Sequence, residues 1–480
     1  MRARRTKRSL AVAALAAVAC ATLAPRDAHA NGRLPKAHQL VFSSTDPAFV
    51  VIEATFGLFL SQDMGAHFDW VCEPAIGYPA TLNWDPPIGI TATSVLAGTP
   101  KGLSVSPDRG CSWQTNLPGQ IVDVVVRRDD PHSALALVSG YSGRSDAGDS
   151  LYATQVFATH DDGATWSAQG PPIEPDVTVE TIDLAASDPN TLYVGGARTL
   201  LQADGSIDRT AVVLASTNGG ATYTATEIPL QLPDEYQSSA FVSTVDPKSP
   251  QRVYVRISQA TDSASASNVA RLLVSDDGAV TFRTVYQAQG ALPGFALSSD
   301  GSKLFLGDAT TGVLLAAPPP VGSGAPFSFA QRSSTPVECL TWSAGNLYAC
   351  TPQPQNAYLK QLAVSSDDGA TFAPVFRFGC VSGPVACDTG TVASTCNAEF
   401  SGVQALVGAC VDDGGARADD SGPADAGSND APASGDDGGA GTPPARSSSC
   451  GCEAGDTAGE VGGLSALGLL ALAMLRRRRA

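Results

Sequence analysis

Two carboxylates at a suitable separation are enough to hydrolyse a glycosidic bond, so the acidic residues are the first place where chemistry could reside. Glutamates are sparse along the body of the chain, chiefly Glu53, Glu73, Glu174, Glu180, Glu227, Glu235 and Glu338, and most aspartates fall in turns. Sugar clefts also favour exposed tryptophans. Of the five, Trp113 and Trp166 belong to a repeated turn and Trp342 to an apolar strand, which leaves Trp70 and Trp84. The five histidines are scattered, and neither HExxH nor GxSxG occurs, so neither a zinc hydrolase nor an elbow serine is announced. No CxxC pair is present either. On these residues no catalytic group, metal ligand or cofactor is expected.

The elements that would position any site are those of a turn-rich β protein. Among 480 residues there are 48 glycines and 33 prolines, charged residues make up 16%, and no long amphipathic helix is patterned before the last hundred residues. A net charge of -17 repels phosphate backbones and anionic lipid, which argues against a nucleic-acid partner. The first thirty residues read as a secretory signal: a basic stretch to Arg8, an apolar run from Leu10 to Leu23, and Ala28-His29-Ala30 before Asn31. Cleavage is expected after Ala30. A lipoprotein cut before Cys20 is the alternative, although Ala17-Val18-Ala19 lacks the leucine usual three residues ahead of such a cysteine. Loss of the signal removes six basic side chains and one acid, carrying the charge to -22, and leaves ten of the eleven cysteines in an oxidising compartment. Neighbours in sequence suggest the pairs Cys339–Cys350 and Cys72–Cys111, with two further bridges among Cys380, Cys387, Cys396 and Cys410.

An octapeptide, Ser/Thr-x-Asp-x-Gly-x-Thr-aromatic, recurs along the chain. Clean copies begin at Thr159 (THDDGATW) and Ser365 (SSDDGATF). Variants begin at Ser61, Ser106, Ser216 and Ser275, the last with its glycine displaced by one position. In each, Asp63, Asp108, Asp161, Asn218, Asp277 or Asp367 is placed to accept backbone N–H groups across a β-turn, with glycine supplying positive φ and the aromatic packing between sheets. Successive copies start 45, 53, 57, 59 and 90 residues apart, and the last interval leaves room for a unit without the octapeptide, read at Ala296–Gly307 and Val313–Ala317. The pattern resembles the Asp-box, or bacterial neuraminidase repeat, over roughly residues 34–378, and implies a β-propeller of four-stranded blades, seven in number, with six the alternative. The first blade already holds its four strands in sequence, so a swapped closing strand is not required; the first strand of the second blade falls near Thr81–Trp84 or Ile88–Thr93.

Asp-boxes are shared by sialidases, other glycanases, receptors and non-enzymatic propellers. A sialidase would carry three arginines, a tyrosine nucleophile with its glutamate, and a Phe/Tyr-Arg-Ile-Pro string before the first box. The nearest string here, Tyr254-Val255-Arg256-Ile257-Ser258, is misordered and late, and Arg256 reads as a strand residue. Residues 379–411 form a cysteine-rich cap whose middle, Val392–Val407, is patterned for a helix, and residues 412–449 are an acidic Asp/Gly/Ala/Ser/Pro spacer without the ordered spacing of a calcium loop. The chain ends in Cys450-Gly451-Cys452, an apolar run from Val461 to Leu475 and four arginines. This layout resembles a MYXO-CTERM sorting tail, which implies processing near Cys450 or Cys452 by a dedicated sorting protease and delivery to the cell surface or outer membrane. An ordinary membrane anchor is the alternative, although fifteen apolar residues are short of the roughly 20 that span a bilayer.

In blades three, four and five the connections between second and third strands are long: Gly140–Ser150, Gln202–Thr210 and Gln259–Asn268. They emerge opposite the octapeptide turns, and Tyr141, Arg144, Asp149, Asp204, Asp208, Arg209 and Asp262 form a candidate polar binding rim, with drift of loop length as the plainer explanation. The expectation is therefore an all-β propeller displayed outside the cell that binds or scaffolds a protein or glycan. A sialidase-like glycoside hydrolase and a purely structural surface protein are the alternatives.

Overall fold

A computed structural model describes residues 34–201, 207–229, 235–237, 239–261, 269–352 and 361–410. The signal with Ala30, the spacer, Cys450, Cys452, the terminal apolar run, Asp204 and Asp262 lie outside the described residues. Seven antiparallel sheets follow one another along the chain, each running outward in sequence order, and together they form a seven-bladed propeller. Their first strands are Ala37–Phe42, Ile88–Ile90, Ile121–Val126, Val177–Ala185, Phe241–Val245, Gly294–Leu297 and Cys339–Ser343. First strands of successive blades approach one another, so they line the central channel. Six blades have four strands. Blade 5 gains a fifth, Glu235–Gln237, against the far end of its Val253–Thr261 strand. The unit without an octapeptide is blade 6, and the second blade starts at Ile88, the later of the two positions that the sequence allowed. Apolar side chains from facing sheets fill the wedges between blades, as Val194, Val212 and Leu214 do beside Leu135 and Val156.

All six octapeptides adopt one turn. The first residue's hydroxyl donates to the third residue's side-chain oxygen at 2.7–2.9 Å. That hydroxyl also accepts the N–H of the fifth residue at 2.8–3.0 Å. The third residue's Oδ1 accepts the N–H of the seventh at 2.8–3.0 Å. Fourth and fifth residues are both left-handed, which explains the displaced glycine of the Ser275 copy: there Gly278 (φ 76°) takes the fourth place and Ala279 (φ 67°) the fifth. Elsewhere the fifth-position glycine also allows close approach to the blade before it. A Cβ on Gly163 would meet Leu96 Cδ2 at 2.8 Å, and one on Gly110 would meet Leu60 Cδ2 at 2.6 Å. Both carboxylate oxygens of Asp161 and Asp367 are therefore engaged within the turn, Oδ1 by backbone N–H and Oδ2 by the threonine hydroxyl, and the Thr165 and Thr371 hydroxyl and N–H donors draw both carboxyls down to about 2.

The first strand of each blade has no strand further inward, and in blades 1, 2, 4 and 5 side chains of the neighbouring blade bond its backbone. Gln39 exchanges two bonds with Ile88, Asp123 accepts Ile182 N–H at 2.9 Å, and Asp183 accepts Val245 N–H at 2.9 Å. Thr341 Oγ1 closes the ring by donating to Leu40 O at 3.1 Å. Enclosure by protein pushes the Asp123 carboxyl up to about 7 against these backbone bonds, and burial raises Asp183 as well.

Blade 1 keeps four contiguous strands, so no strand is exchanged between the chain ends. Instead the segment after blade 7 runs parallel along the outer strand of blade 1, with Trp70 N–H donating to Gly383 O at 2.7 Å and Val385 N–H to Trp70 O at 3.0 Å. The helix Thr391–Val407 follows. Cys339–Cys350 pairs as the sequence suggests; of the two bridges expected among Cys380, Cys387, Cys396 and Cys410, one forms, Cys380–Cys410. Cys72 and Cys111 are not joined to each other. Cys72 bonds Cys396 and Cys111 bonds Cys387, so the cap is fastened across the seam to blades 1 and 2 and not only to itself. Sequence adjacency misled here because the ring brings together residues 324 and 276 positions apart.

Loops of that length give each seam disulfide on the order of 5 kcal/mol when considered alone, and less together because one loop encloses the other. A Cys72→Ala/Cys396→Ala variant is expected to lose about 3–5 kcal/mol in urea unfolding, with early hydrogen exchange at Trp70 and Val385. Because the Asp161 and Asp367 carboxyls have folded values below the unfolded value of about 3.9, their contribution is present above about pH 4 and is lost as pH falls through about 2. Thermal melts of Asp161→Ala/Asp367→Ala should therefore differ from the parent at pH 7 and converge with it near pH 2.

Candidate functional site

The octapeptides join third to fourth strands and so share a face with the exits of the first strands. The entrances of the first strands and the hairpins between second and third strands occupy the opposite face. There the channel opens into a concavity of about 630 Å3, lined by Lys36, His38, Glu180, Arg209, Ser239, Phe241, Arg256, Ile257, Ala270, Ala291, Leu292, Pro293 and Glu338. Lys36 and Glu338 stand at or just before the first strands of blades 1 and 7, and their ion pair (3.1 Å) bridges the seam. Glu180 comes from the first strand of blade 4. Its Oε1 accepts Ser239 Oγ–H at 2.9 Å and lies 3.8 Å from Arg209, which itself donates to Ser239 Oγ at 2.6 Å.

Arg256 differs from the other cations. Its Nε donates to Ser243 Oγ (2.9 Å) and its Nη1 to the carbonyls of Leu292 (2.9 Å) and Pro293 (2.6 Å), and the guanidinium lies 4.7 Å from the Phe241 ring centre. Among the described residues its hydrogen bonds all go to neutral groups. Burial without an opposite charge lowers it to about 10. Among the described residues the mouth is lined by three permanent cations, Lys36, Arg209 and Arg256, and two carboxylates, Glu180 and Glu338. Phe241 is 45% exposed beside them and offers an apolar ring face. A concave wall with a surplus cation, unused donor capacity and one open aromatic is suited to an anionic group carried on a partly apolar body.

The structure separates the sequence-derived rim. Of its described residues, Arg209 lines the mouth. The long connections of blades 3 and 4 are mostly ladder and not loop: pairing continues to Arg144↔Ser150 and to Leu201↔Ile207. Arg144 donates to Gly148 O at 2.7 Å within its own hairpin tip. Asp149 accepts Leu201 N–H at 2.7 Å and Ser145 Oγ–H at 3.0 Å, tying the blade 3 hairpin to that of blade 4, and the Leu201 N–H is the main cause of its lowered pKa. Tyr141 is exposed and stacks edge-on with Tyr152. Asp208 lies on the Ile207–Ser216 strand, paired with Leu200. Trp70 is no sugar platform: it is buried between blade 1 and the cap, its Nε1 donating to Phe56 O at 2.8 Å. Trp84 is half-buried with its Nε1 on Gly98 O.

Sequence reasoning missed Lys36, His38, Ser239, Phe241 and Glu338 as site residues and read Arg256 as a plain strand residue. Most of them sit at the entrance of a first strand. A polar residue just ahead of an apolar first strand is the signal that would have found them.

No family model matches the chain, and no curated protein matches it in sequence. Among solved structures, an ancestral GH74 enzyme superposes at TM-score 0.47 with 14% identity, covering 71% of this chain and 45% of that one. Hydrazine synthase of Kuenenia stuttgartiensis superposes at 0.48 with 12% identity over 71% of this chain and 98% of that one. The Cps50 (Swd1) β-propeller domain of Myceliophteria thermophila gives 0.39 with 8% identity over 66% and 94%. This chain therefore spans less than half of the GH74 enzyme. Enzymes and WD40 proteins both occur among the matches, so the likeness concerns the propeller fold alone.

Because Asp149 joins two hairpins and does not face the mouth, Asp149→Ala should raise amide exchange at Leu201 and along Thr199–Leu201 while leaving the Arg209–Ser239 corner unchanged. Site-resolved hydrogen exchange reads both.

Proposed function

We propose that this protein is a non-enzymatic binding propeller whose channel mouth, on the face opposite the octapeptide turns, receives an anionic group of a surface glycan or protein. The observation that carries the reading is Arg256: a guanidinium in the wall of a 630 Å3 concavity, bonded among the described residues to neutral groups only, beside an exposed phenylalanine. Burying a cation without a partner is unfavourable, and an entering carboxylate or sulfate would relieve it. The two mouth glutamates make a glycosidase the second reading. General acids of that class sit in apolar walls, whereas Glu338 faces Lys36 and Glu180 faces Ser239 and Arg209.

The octapeptides are proposed to be Asp-boxes, used here to hold hairpins and not to do chemistry. The wider arrangement proposed is export by the signal cleaved after Ala30, display on the acidic spacer, and processing of the tail near Cys450 or Cys452 by a sorting protease at the membrane. The spacer composition and the basic, apolar and cysteine-bearing ends support it.

An array of neutral, uronic and sialylated glycans, with hydrolysis followed on the same set, tests the function. Acidic ligands should bind without turnover, weaken as salt rises, and lose at least tenfold affinity in Lys36→Gln and Arg256→Gln while Arg144→Ala binds normally. Turnover abolished by Glu338→Gln or Glu180→Gln would replace the binding reading with the hydrolase.

A further inference from the structure

Beside the mouth, three side chains from separate stretches of chain bring metal-ligating atoms together. One ligand atom each from His38, Glu53 and Asp85 lies within 4.8 Å of the other two. Each is placed by a distinct feature. The first strand of blade 1 carries a β-bulge between Ala37 and Gln39, pairing Ala37 with Ala54 and Gln39 with Glu53, so His38 is the inserted residue. Two residues of a bulged strand then oppose one on its neighbour, and bulges re-aim side chains beside functional sites. Here that brings His38 to the side of Glu53.

Glu53 is on the second strand and only 2% exposed, so its carboxylate is held by the surrounding core. Asp85 arrives from blade 2 within Trp84-Asp85-Pro86-Pro87. The indole of Trp84 donates to Gly98 O at 2.8 Å and Pro87 O accepts Gly98 N–H at 2.9 Å, while the two prolines restrict the segment. The next residue, Ile88, is locked to Gln39 by two bonds, so the blade 1 and blade 2 contributions are fixed in register with each other.

The His38–Asp85 spacing suits a small divalent cation, and Glu53 lies within 4.8 Å of both. His38 Nδ1 lies 3.3 Å from Asp85 Oδ2, and ligand atoms at about 2.05 Å from a tetrahedral zinc stand about 3.3 Å apart. Two carboxylates and an imidazole give a borderline, net dianionic donor set of the type that holds zinc, too few oxygens for calcium. Three protein ligands leave the fourth position of a tetrahedron open, as in zinc sites that bind a water or an exogenous oxygen.

We propose that His38, Glu53 and Asp85 form a zinc site with one open coordination position at the blade 1 edge of the channel mouth. His38 lines the concavity as well as the cluster, so a ligand oxygen entering the mouth is within reach of the ion. The zinc site itself does not depend on the anion-binding reading. It stands on the three ligands alone.

The test is zinc titration of the full, disulfide-bonded, tag-free chain in a Cys450→Ser/Cys452→Ser background, by competition with a chromophoric chelator, with cobalt substitution as the spectroscopic readout. One equivalent of zinc per chain should bind at sub-micromolar Kd, and cobalt should give the intense visible bands of a tetrahedral N/O site. His38→Ala, at a partly exposed position where folding is not at stake, and Asp85→Asn should each weaken binding at least a hundredfold and abolish those bands, with melting temperature of the metal-free protein unchanged. Binding that is weaker than micromolar, or equally tight in the parent and His38→Ala, would overturn the site and assign any bound zinc to other acidic groups. Glycan binding that survives chelation would leave the zinc site standing apart from the anion site, whereas zinc binding absent beside intact glycan binding would overturn the metal site alone.

Discussion

A propeller must satisfy the inward edge of seven first strands that have no further strand to pair with, and most of this molecule's construction answers that constraint. An unpaired N–H or carbonyl enclosed by protein is unfavourable by roughly 1–3 kcal/mol. Side chains from the adjacent blade supply the missing partners: Gln39 for Ile88, Asp123 for Ile182, Asp183 for Val245, Thr341 for Leu40. These bonds tie blade 1 to blade 2, blade 3 to blade 4, blade 4 to blade 5 and blade 7 to blade 1. The same constraint places carboxyls in an enclosed channel, which is why Asp123 is raised to about 7 although both of its oxygens accept backbone N–H groups.

Closing such a ring without exchanging a strand leaves the first and last blades joined only by side chains and short main-chain contacts. The cap reinforces that seam from outside. Its lead-in segment adds parallel bonds to blade 1, and its two disulfides to Cys72 and Cys111 reach both of the first two blades. Aromatic rings fill the seam between them, with Phe376 and Phe378 from the end of blade 7 against Phe59 and Phe68 of blade 1.

The two faces of the propeller are then chemically unlike. On one, Asp or Asn side chains and hydroxyls are consumed in six equivalent turns, bonded to backbone N–H groups and to each other. On the other, the entrances of the first strands and the raised hairpins leave cations, carboxylates and an open aromatic around the channel. In a chain of net charge -17 the described wall of that mouth carries three permanent cations beside two carboxylates, with Glu53 and Asp85 at its blade 1 edge. Focusing of the field in a concave site makes those cations effective at short range even within an acidic protein.

The fold class was legible in the sequence because the octapeptide is a local device. Its hydroxyl, carboxylate, left-handed pair and aromatic all act within eight residues, so their spacing alone specifies a turn, and their recurrence specifies the blades. The helix of the cap and the Cys339–Cys350 bridge were legible for the same reason, being local. Arg209 of the long connections lines the concavity, whereas Arg144 and Asp149 in the same class of connection hold hairpins, because loop length does not reveal where a side chain's partner lies. What only the tertiary structure decided are the meetings of residues from distant blades: Cys72 with Cys396, Lys36 with Glu338, and His38 with Glu53 and Asp85. The bulge at His38 and the closure angle of the ring determine those meetings. Both are set by packing between sheets, which no spacing along the chain records.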